Sequence, residues 1–245
     1  MTKPLRALAF VLDTKSSGES NRSIQLLARE GGLRWVSHFG GAKSKLRGMA
    51  APFHRGMAWI AEDQAKGFAR LTDFEPDRYY PSFRESLEKH FAASLMAEVA
   101  IRTHLAGGEV EAQFDLLSDA FDSLDASGDQ AIGLVVAQYL ARELRLSGSG
   151  LDHDACARCG RGLAEGAGYS GGHGLHCLSC EPAPRYPVDR AATRYLGTSL
   201  GMGFREALRL APPAESLRGL KEALLAMTQA LCGAELKSLK AWEAL

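Results

Sequence analysis

The sequence predicts an α+β protein: a small five-stranded β-barrel at the N-terminus, then a mainly α-helical region with an inserted four-cysteine zinc ribbon. Three observations carry that prediction. Within roughly the first 75 of the 245 residues, five short strand-like apolar runs are separated by turn signals. Near Pro81 the apolar spacing changes from two residues to three or four, the helical period. Two C-x2-C pairs stand between helical stretches, with seventeen residues between them.

The strand-like runs are Leu5–Leu12, Ser23–Ala28, Leu33–Val36, Pro52–Ile60 and Gly67–Phe74. Ser16-Ser17-Gly18, Gly31-Gly32, Gly40-Gly41 and the polar stretch Glu62–Lys66 punctuate them. Five short strands at this spacing suit a small barrel or sandwich. Ser23–Ala28 is ambiguous, because Ile24, Leu27 and Ala28 also fit one helical face. From Ser82 to Leu105, Leu87, Phe91, Leu95 and Val99 recur every four residues. Phe114, Leu117, Phe121 and Leu124 mark a second helix, and a third runs over about Asp129–Leu146 with Ile132, Val135, Val136, Tyr139 and Leu140 inward. Helical spacing resumes near Asp189 and closes with Leu217, Leu220, Leu224, Met227 and Leu231. Strands first and helices after read as α+β, with a barrel domain over 1–80 and a helical domain over 81–245 holding the metal-binding motif at 153–183.

Composition excludes several classes. With 46% hydrophobic and 24% charged residues the chain is an ordinary globular one. Its longest uncharged apolar run, Gln130–Ala141, falls short of the roughly 20 residues a bilayer span needs. Leu5–Leu12 meets Asp13 with no cleavage-like site, so a secretory signal is not expected. Five cysteines without an export signal point to a reduced cytosolic setting rather than a disulfide framework. Formal net charge is zero but unevenly spread: residues 1–80 carry 13 Lys/Arg against 8 Asp/Glu, residues 81–155 carry 5 against 13, and residues 156–245 carry 11 against 8. Between Arg22 and Arg55 stand seven basic residues and one acid, Glu30. Such asymmetry suggests an anionic partner at one end of the molecule.

Cys156-Ala-Arg-Cys159 and Cys177-Leu-Ser-Cys180 have the spacing of a zinc ribbon. Each C-x2-C turn aims two thiolates at one ion, and two turns complete a tetrahedral cage. Seven glycines lie in the gap and permit tight knuckles. One structural zinc per chain is expected, with iron–sulfur ligation or a metal-free form as the alternatives. A redox pair would need a βαβ setting that neither motif has. His153, His173 and His176 flank the cysteines and are read as bystanders. Four thiolates close the coordination shell, so the site is structural rather than catalytic. Cys232 reads as a small core residue.

Enzyme motifs fail on context. Gly197-Thr198-Ser199-Leu200-Gly201 fits a nucleophile elbow, but the preceding residues read as helix and no histidine follows, so Ser199 is expected in a turn between helices. Gly41-Ala42-Lys43-Ser44 has alanine where a phosphate-binding loop needs glycine before its lysine.

A basic barrel suits nucleic acid. Lys43, Lys45 and Arg47 alternate in a Gly-bounded stretch read as a loop, where their side chains can reach phosphates, and Arg22, Arg34 and Arg55 extend the track. Phe39, at a strand-to-loop edge, is the stacking candidate for an unpaired base. Trp35 and Phe53 are expected in the barrel core.

Barrel, helices and inserted four-cysteine site together resemble the RecO family of bacterial recombination mediators. Gly18-Glu19-Ser20-Asn21-Arg22 is similar to that family's first turn, and Arg29-Glu30-Gly31-Gly32-Leu33 to its next. Lys43-Ser44-Lys45 with Pro52-Phe53 is similar to its basic loop and fourth strand, and Glu235-Leu236-Lys237-Ser238 to its closing segment. The chain departs from the family at His38, where arginine is common, and at Phe39. The resemblance implies an OB-fold barrel that binds single- and double-stranded DNA and anneals complementary strands. It further implies partnership with RecR, docking of the acidic tail of single-stranded DNA-binding protein, and loading of recombinase during repair. No covalent chemistry, membrane or small-molecule substrate is implied, and the location would be the bacterial cytoplasm at the nucleoid. The alternative is an adaptor that binds the acidic tail and meets DNA only through partners. Arg190, Arg194, Arg205 and Arg209 are the cations available in helical sequence for such a tail.

Overall fold

A computed structural model describes residues 5–17, 21–39, 44–63, 67–103, 109–149, 151 and 155–243. The chain divides into two compact units, residues 1–85 with 104–115, and residues 86–103 with 116–245.

The first unit is a closed barrel of β1 (Leu5–Ser17), β2 (Asn21–Ala28), β3 (Gly32–Phe39), β4 (Arg55–Asp63) and β5 (Phe68–Arg78). The strand order is β1-β2-β3-β5-β4, with β1 returning to pair with β4 and β3 running parallel to β5. This is the order of an OB-fold. The ambiguous second run is therefore a strand, because Ile24, Leu26 and Ala28 alternate into the core while β3 pairs along the whole of β2. Alternate positions of β1 and β4, Ala9 and Val11, Ala58 and Ile60, fill the interior with Val36 of β3, while β5 adds Leu71 and Phe74, three residues apart, where its register with β4 shifts. Between β3 and β4 a five-residue helix, α1 (Lys45–Met49), adds Leu46 and the following Ala50 to that core. Lys45 and Arg47 thus lie on a short helix instead of the expected loop. Glycine at 48 and a length of barely one turn left no periodic signal. Gly56 is required on β4, because a Cβ there would strike the Glu75 carbonyl beside a register shift. The first residues of α4 (Glu109–Ala126) complete this unit: Phe114 meets Phe10 with ring centroids 4.9 Å apart, and Arg29 pairs with Glu111 and Asp115 at 3.2 and 3.0 Å. A one-turn helix, α2 (Ser82–Glu85), ends the first stretch of this unit; its Phe83 takes Phe53 edge-on, and Phe53 is half-buried.

The second unit is built on α3 (Leu87–Thr103), the rest of α4, α5 (Ile132–Leu146), α6 (Arg190–Ser199), α7 (Phe204–Ala207), α8 (Ala214–Cys232) and α9 (Lys237–Glu243). The inward residues expected of α4 and α5 are all buried. On α3 the buried face instead runs through Ala92, Leu95, Met96 and Val99, with Leu87 exposed at the first position. Leu231 is likewise exposed near the end of α8, and Cys232 is only half-buried. Gly233 ends α8 in the left-handed conformation (φ 63°), where a side chain would be strained. Asp189 caps α6 by accepting from the Ala192 amide at 2.8 Å, and its second oxygen accepts from Ser216 of α8 at 2.6 Å. Ser199 closes α6 within the buried interior, where it accepts from Gln138 at 2.9 Å, so it is neither in a turn nor accessible as a nucleophile. Between α5 and α6, β6 (Ala167–Tyr169), β7 (His176–Cys177) and β8 (Tyr186–Val188) form a small sheet in the order β7-β6-β8. Among the described residues no helix is long and apolar enough to cross a membrane.

Candidate metal centre and nucleic-acid interface

Cys156, Cys159, Cys177 and Cys180 converge, their Sγ atoms all within 4.8 Å of one another. Each knuckle is closed by backbone. The Gly160 amide donates to the Cys156 carbonyl at 2.8 Å, and the Cys180 and Glu181 amides donate to the Cys177 carbonyl at 2.9 and 3.0 Å. Gly160 has φ 70°, which explains a glycine directly after the first pair. Strand β7 carries Cys177, and the Ala157 amide donating to Leu175 at 2.9 Å brings the knuckles together.

A tetrahedral ion with metal–sulfur bonds of about 2.3 Å requires sulfurs about 3.8 Å apart. Cys159 and Cys177 Sγ stand 3.7 Å apart, so the donor set fits such an ion. Burial raises the Cys156 thiol, but amides of Cys177, Arg158 and Cys159 outweigh it and bring the group down to about 6. The Cys180 amide likewise lowers Cys177. Hydrogen bonding to Cys159 first, then burial, pushes Cys180 up to about 12. Without a cation the cluster therefore resists its last ionisation, as crowded anions do, and a cation removes that resistance.

On the barrel the structure sorts the sequence-predicted cations into two groups. Arg34 pairs with Glu62 at 2.9 Å, and Arg55 forms a two-pronged pair with Asp77 at 2.9 and 3.1 Å. Arg22, Lys45 and Arg47 have no carboxylate partner among the described residues. Lys43 lies outside the described residues.

Phe39 is 43% exposed at the end of β3. Trp35, expected inside, is 44% exposed on the same outer face, with Lys15 Nζ 4.9 Å above its ring. Lys15 also touches Asp13 at 3.7 Å. On β5, exposed Phe68 lies 5.6 Å from the Phe39 ring, and Arg70 covers Phe39 at 5.5 Å. Between the two aromatic stations Ser23 and Ser37 face each other across β2 and β3. The result is a ledge of exposed rings over small side chains with cations at both margins, the composition that stacks unpaired bases and tracks their phosphates.

Lys15, Trp35, Phe68 and Arg70 were absent from the sequence-derived set. The signal for Trp35 was parity: strand positions 35, 37 and 39 share a face. If Phe39 points outward, so does Trp35, while Val36 and His38 point in. His38 is buried opposite Arg22 across β2 and β3. Burial, then Arg22, Arg70 and Arg47, lower its basicity, so the imidazole is neutral at pH 7.

Of the four arginines expected in helices, Arg190, Arg194 and Arg205 are helical while Arg209 lies in the turn after α7, and they do not share one environment. Arg190 pairs with Glu165 at 3.5 Å and lines a groove of about 470 Å³ floored by Ala167, Leu178, Pro187 and Val188. Arg205 pairs with Asp122 at 3.2 Å, and Arg194 and Arg209 are exposed outside that groove.

A family model described as "Recombination protein O C terminal" matches residues 84–240. The chain is 32% identical over 238 residues to a protein named "DNA repair protein RecO" from Anaeromyxobacter sp. (strain K), covering 92% of this chain and 90% of that one. A protein of the same name from Cutibacterium acnes is 30% identical over 187 residues, 72% of this chain and 74% of its own. One from Desulforudis audaxviator is 27% identical over 203 residues, 81% and 80% respectively. With a barrel of OB topology ahead of the matched helical region, the chain falls in the class of DNA repair proteins. Within that class it belongs to the RecO family.

Proposed function

We propose that this chain is a non-enzymatic recombination mediator. Its barrel, residues 1–80, binds single- and double-stranded DNA and anneals complementary strands. Its helical domain, residues 81–245, stabilised by one zinc on the four cysteines, serves partners: RecR and the acidic tail of single-stranded DNA-binding protein. Acting with RecR, it helps load recombinase onto DNA coated by that protein. The observation that carries the reading is the outer barrel ledge, where Trp35, Phe39 and Phe68 are exposed beside Lys15 and Arg70. Rings exposed under cations on the β2–β3 face suit single strands, and Arg22, Lys45 and Arg47 supply further unpaired charge.

Binding of an unstructured oligonucleotide at two salt concentrations, followed by a strand-annealing assay, tests it. Tight binding at low salt that weakens at high salt is expected, and absence of binding at low salt, alone or with RecR, would overturn it. The second reading, an adaptor meeting DNA only through partners, is favoured by the pairing of Arg34 and Arg55 with carboxylates. It predicts tight binding of an acidic tail peptide, with Arg190, Arg194, Arg205 and Arg209 as its cations, and weak binding of naked DNA.

A further inference from the structure

The barrel neutralises several of its guanidiniums: Arg29, Arg34 and Arg55 each meet a carboxylate. Arg22, Arg47 and Arg70, among the described residues, do not. Arg22 on β2 stands opposite His38 on β3. Arg47 comes from α1, whose Leu46 is set in the barrel core. Arg70 on β5 registers with Ser37, the neighbour of His38, and reaches the Phe39 ring. Among the described residues none of the three has a carboxylate partner. Beside Arg22, His38 is 4% exposed, its Nε2 has no hydrogen-bond partner among the described residues, and Arg22, Arg70 and Arg47 are near enough to lower its basicity. A buried polar atom left unpaired costs free energy, and so do like charges held together. Both costs fall on one spot, and one anion with several acceptor oxygens would relieve both.

We propose that Arg22 and His38, in the field of Arg47 and Arg70, form a phosphomonoester site that takes the terminal phosphate of a DNA strand. The inference rests on the nucleic-acid reading of the barrel and adds strand-end recognition to it. A phosphomonoester carries between about −1.5 and −2 charges at pH 7 and three free oxygens, which suits a guanidinium and an imidazole N–H donor in a field of further cations. A phosphodiester within a strand carries one charge, and its chain continues on both sides. Only a terminal group can project far enough to meet an Nε2 sunk beneath the surface.

The test is fluorescence anisotropy of the full chain at one moderate salt concentration. Three versions of one unstructured oligonucleotide are compared, with hydroxyl ends, a 5′-phosphate or a 3′-phosphate, and deoxythymidine monophosphate serves as competitor. One phosphorylated version should bind about tenfold tighter than the hydroxyl version, the gain of a well-made charge-assisted contact. Arg22→Gln should remove the gain and the exposed Arg70→Gln should reduce it, with thermal melts confirming that both fold. If the mononucleotide abolishes the gain at concentrations matching the oligonucleotide's own, the natural ligand is a free nucleotide; if it competes only weakly, the ligand is a strand end. Equal affinity for all three versions would overturn the inference and leave DNA binding by the barrel intact. If no version binds, the nucleic-acid reading fails, and mononucleotide binding lost in Arg22→Gln then decides whether the site exists.

Discussion

Trp35 and Phe39 are rings held in water by strand alternation, since Val36 between them must point into the barrel. Their exposure makes them poor contributors to stability and good candidates for stacking. Trp35→Ala and Phe39→Ala should each weaken single-strand binding by about 1–3 kcal/mol while leaving the melting temperature within a few degrees of the parent. Anisotropy and calorimetry on the same samples check this, and a large loss of stability would return Trp35 to the core. At this scale the sequence was partly legible. The second run stayed ambiguous, because Ile24, Leu27 and Ala28 also fit a helical face, and strand alternation applied to positions 35 and 39 would have exposed Trp35. Size misled, because a tryptophan among strand formers resembles core. Phe68 and Arg70 were not legible, since their place beside Phe39 depends on β3 and β5 running parallel across some thirty residues of chain.

At the scale of elements, the two knuckles and the closing helix show how a few donors hold short structure. The four cysteines were fully legible, because C-x2-C spacing fixes local geometry without help from the rest of the fold. Cys156→Ser or Cys177→Ser, or removal of metal by a chelator, should lower thermal stability by several kcal/mol, whereas Cys232→Ser should cost about 1 kcal/mol or less. Elemental analysis should give about one zinc per chain. Helix α9 was legible only as a similar closing segment. What holds its N-terminus is remote: Glu98 on α3 accepts from the Lys237 amide at 3.2 Å, the Ser238 amide at 2.8 Å and the Ser238 hydroxyl at 2.5 Å. Burial raises the Glu98 carboxyl, but these bonds from Ser238 and Lys237 outweigh it and hold the group below its ordinary 4.5. A carboxylate depressed on folding contributes stability above its unfolded value, and the contribution is lost as pH falls through the folded one. Acidification below about 4.5 should therefore release α9, seen as faster amide exchange over 237–243. Glu98→Gln should show fast exchange already at pH 7 and little further change with acid.

At the scale of the whole molecule, zero net charge conceals a division of labour that the sequence shows only in outline. The cation excess over 1–80 is real, but carboxylates cancel part of it: Glu111 and Asp115 bind Arg29, Glu62 binds Arg34 and Asp77 binds Arg55. Counting basic residues therefore overstates what DNA would feel. Among the described residues between 22 and 70, Arg22, Lys45, Arg47 and Arg70 remain unpaired, so about four phosphates would be neutralised there. For a single strand each adds about −0.7 to the slope of log K against log salt, giving about −3. With all nine Lys/Arg between 22 and 70 available the slope would be nearer about −6. Titrations at four or five salt concentrations separate the two values. Arg22→Gln and Arg70→Gln should each make the slope shallower by about 0.7, and Arg34→Gln and Arg55→Gln by clearly less, because their counter-ions are already carboxylates. Equal changes from all four would mean that binding breaks the carboxylate pairs, and the division drawn on this barrel would then hold only for the free protein.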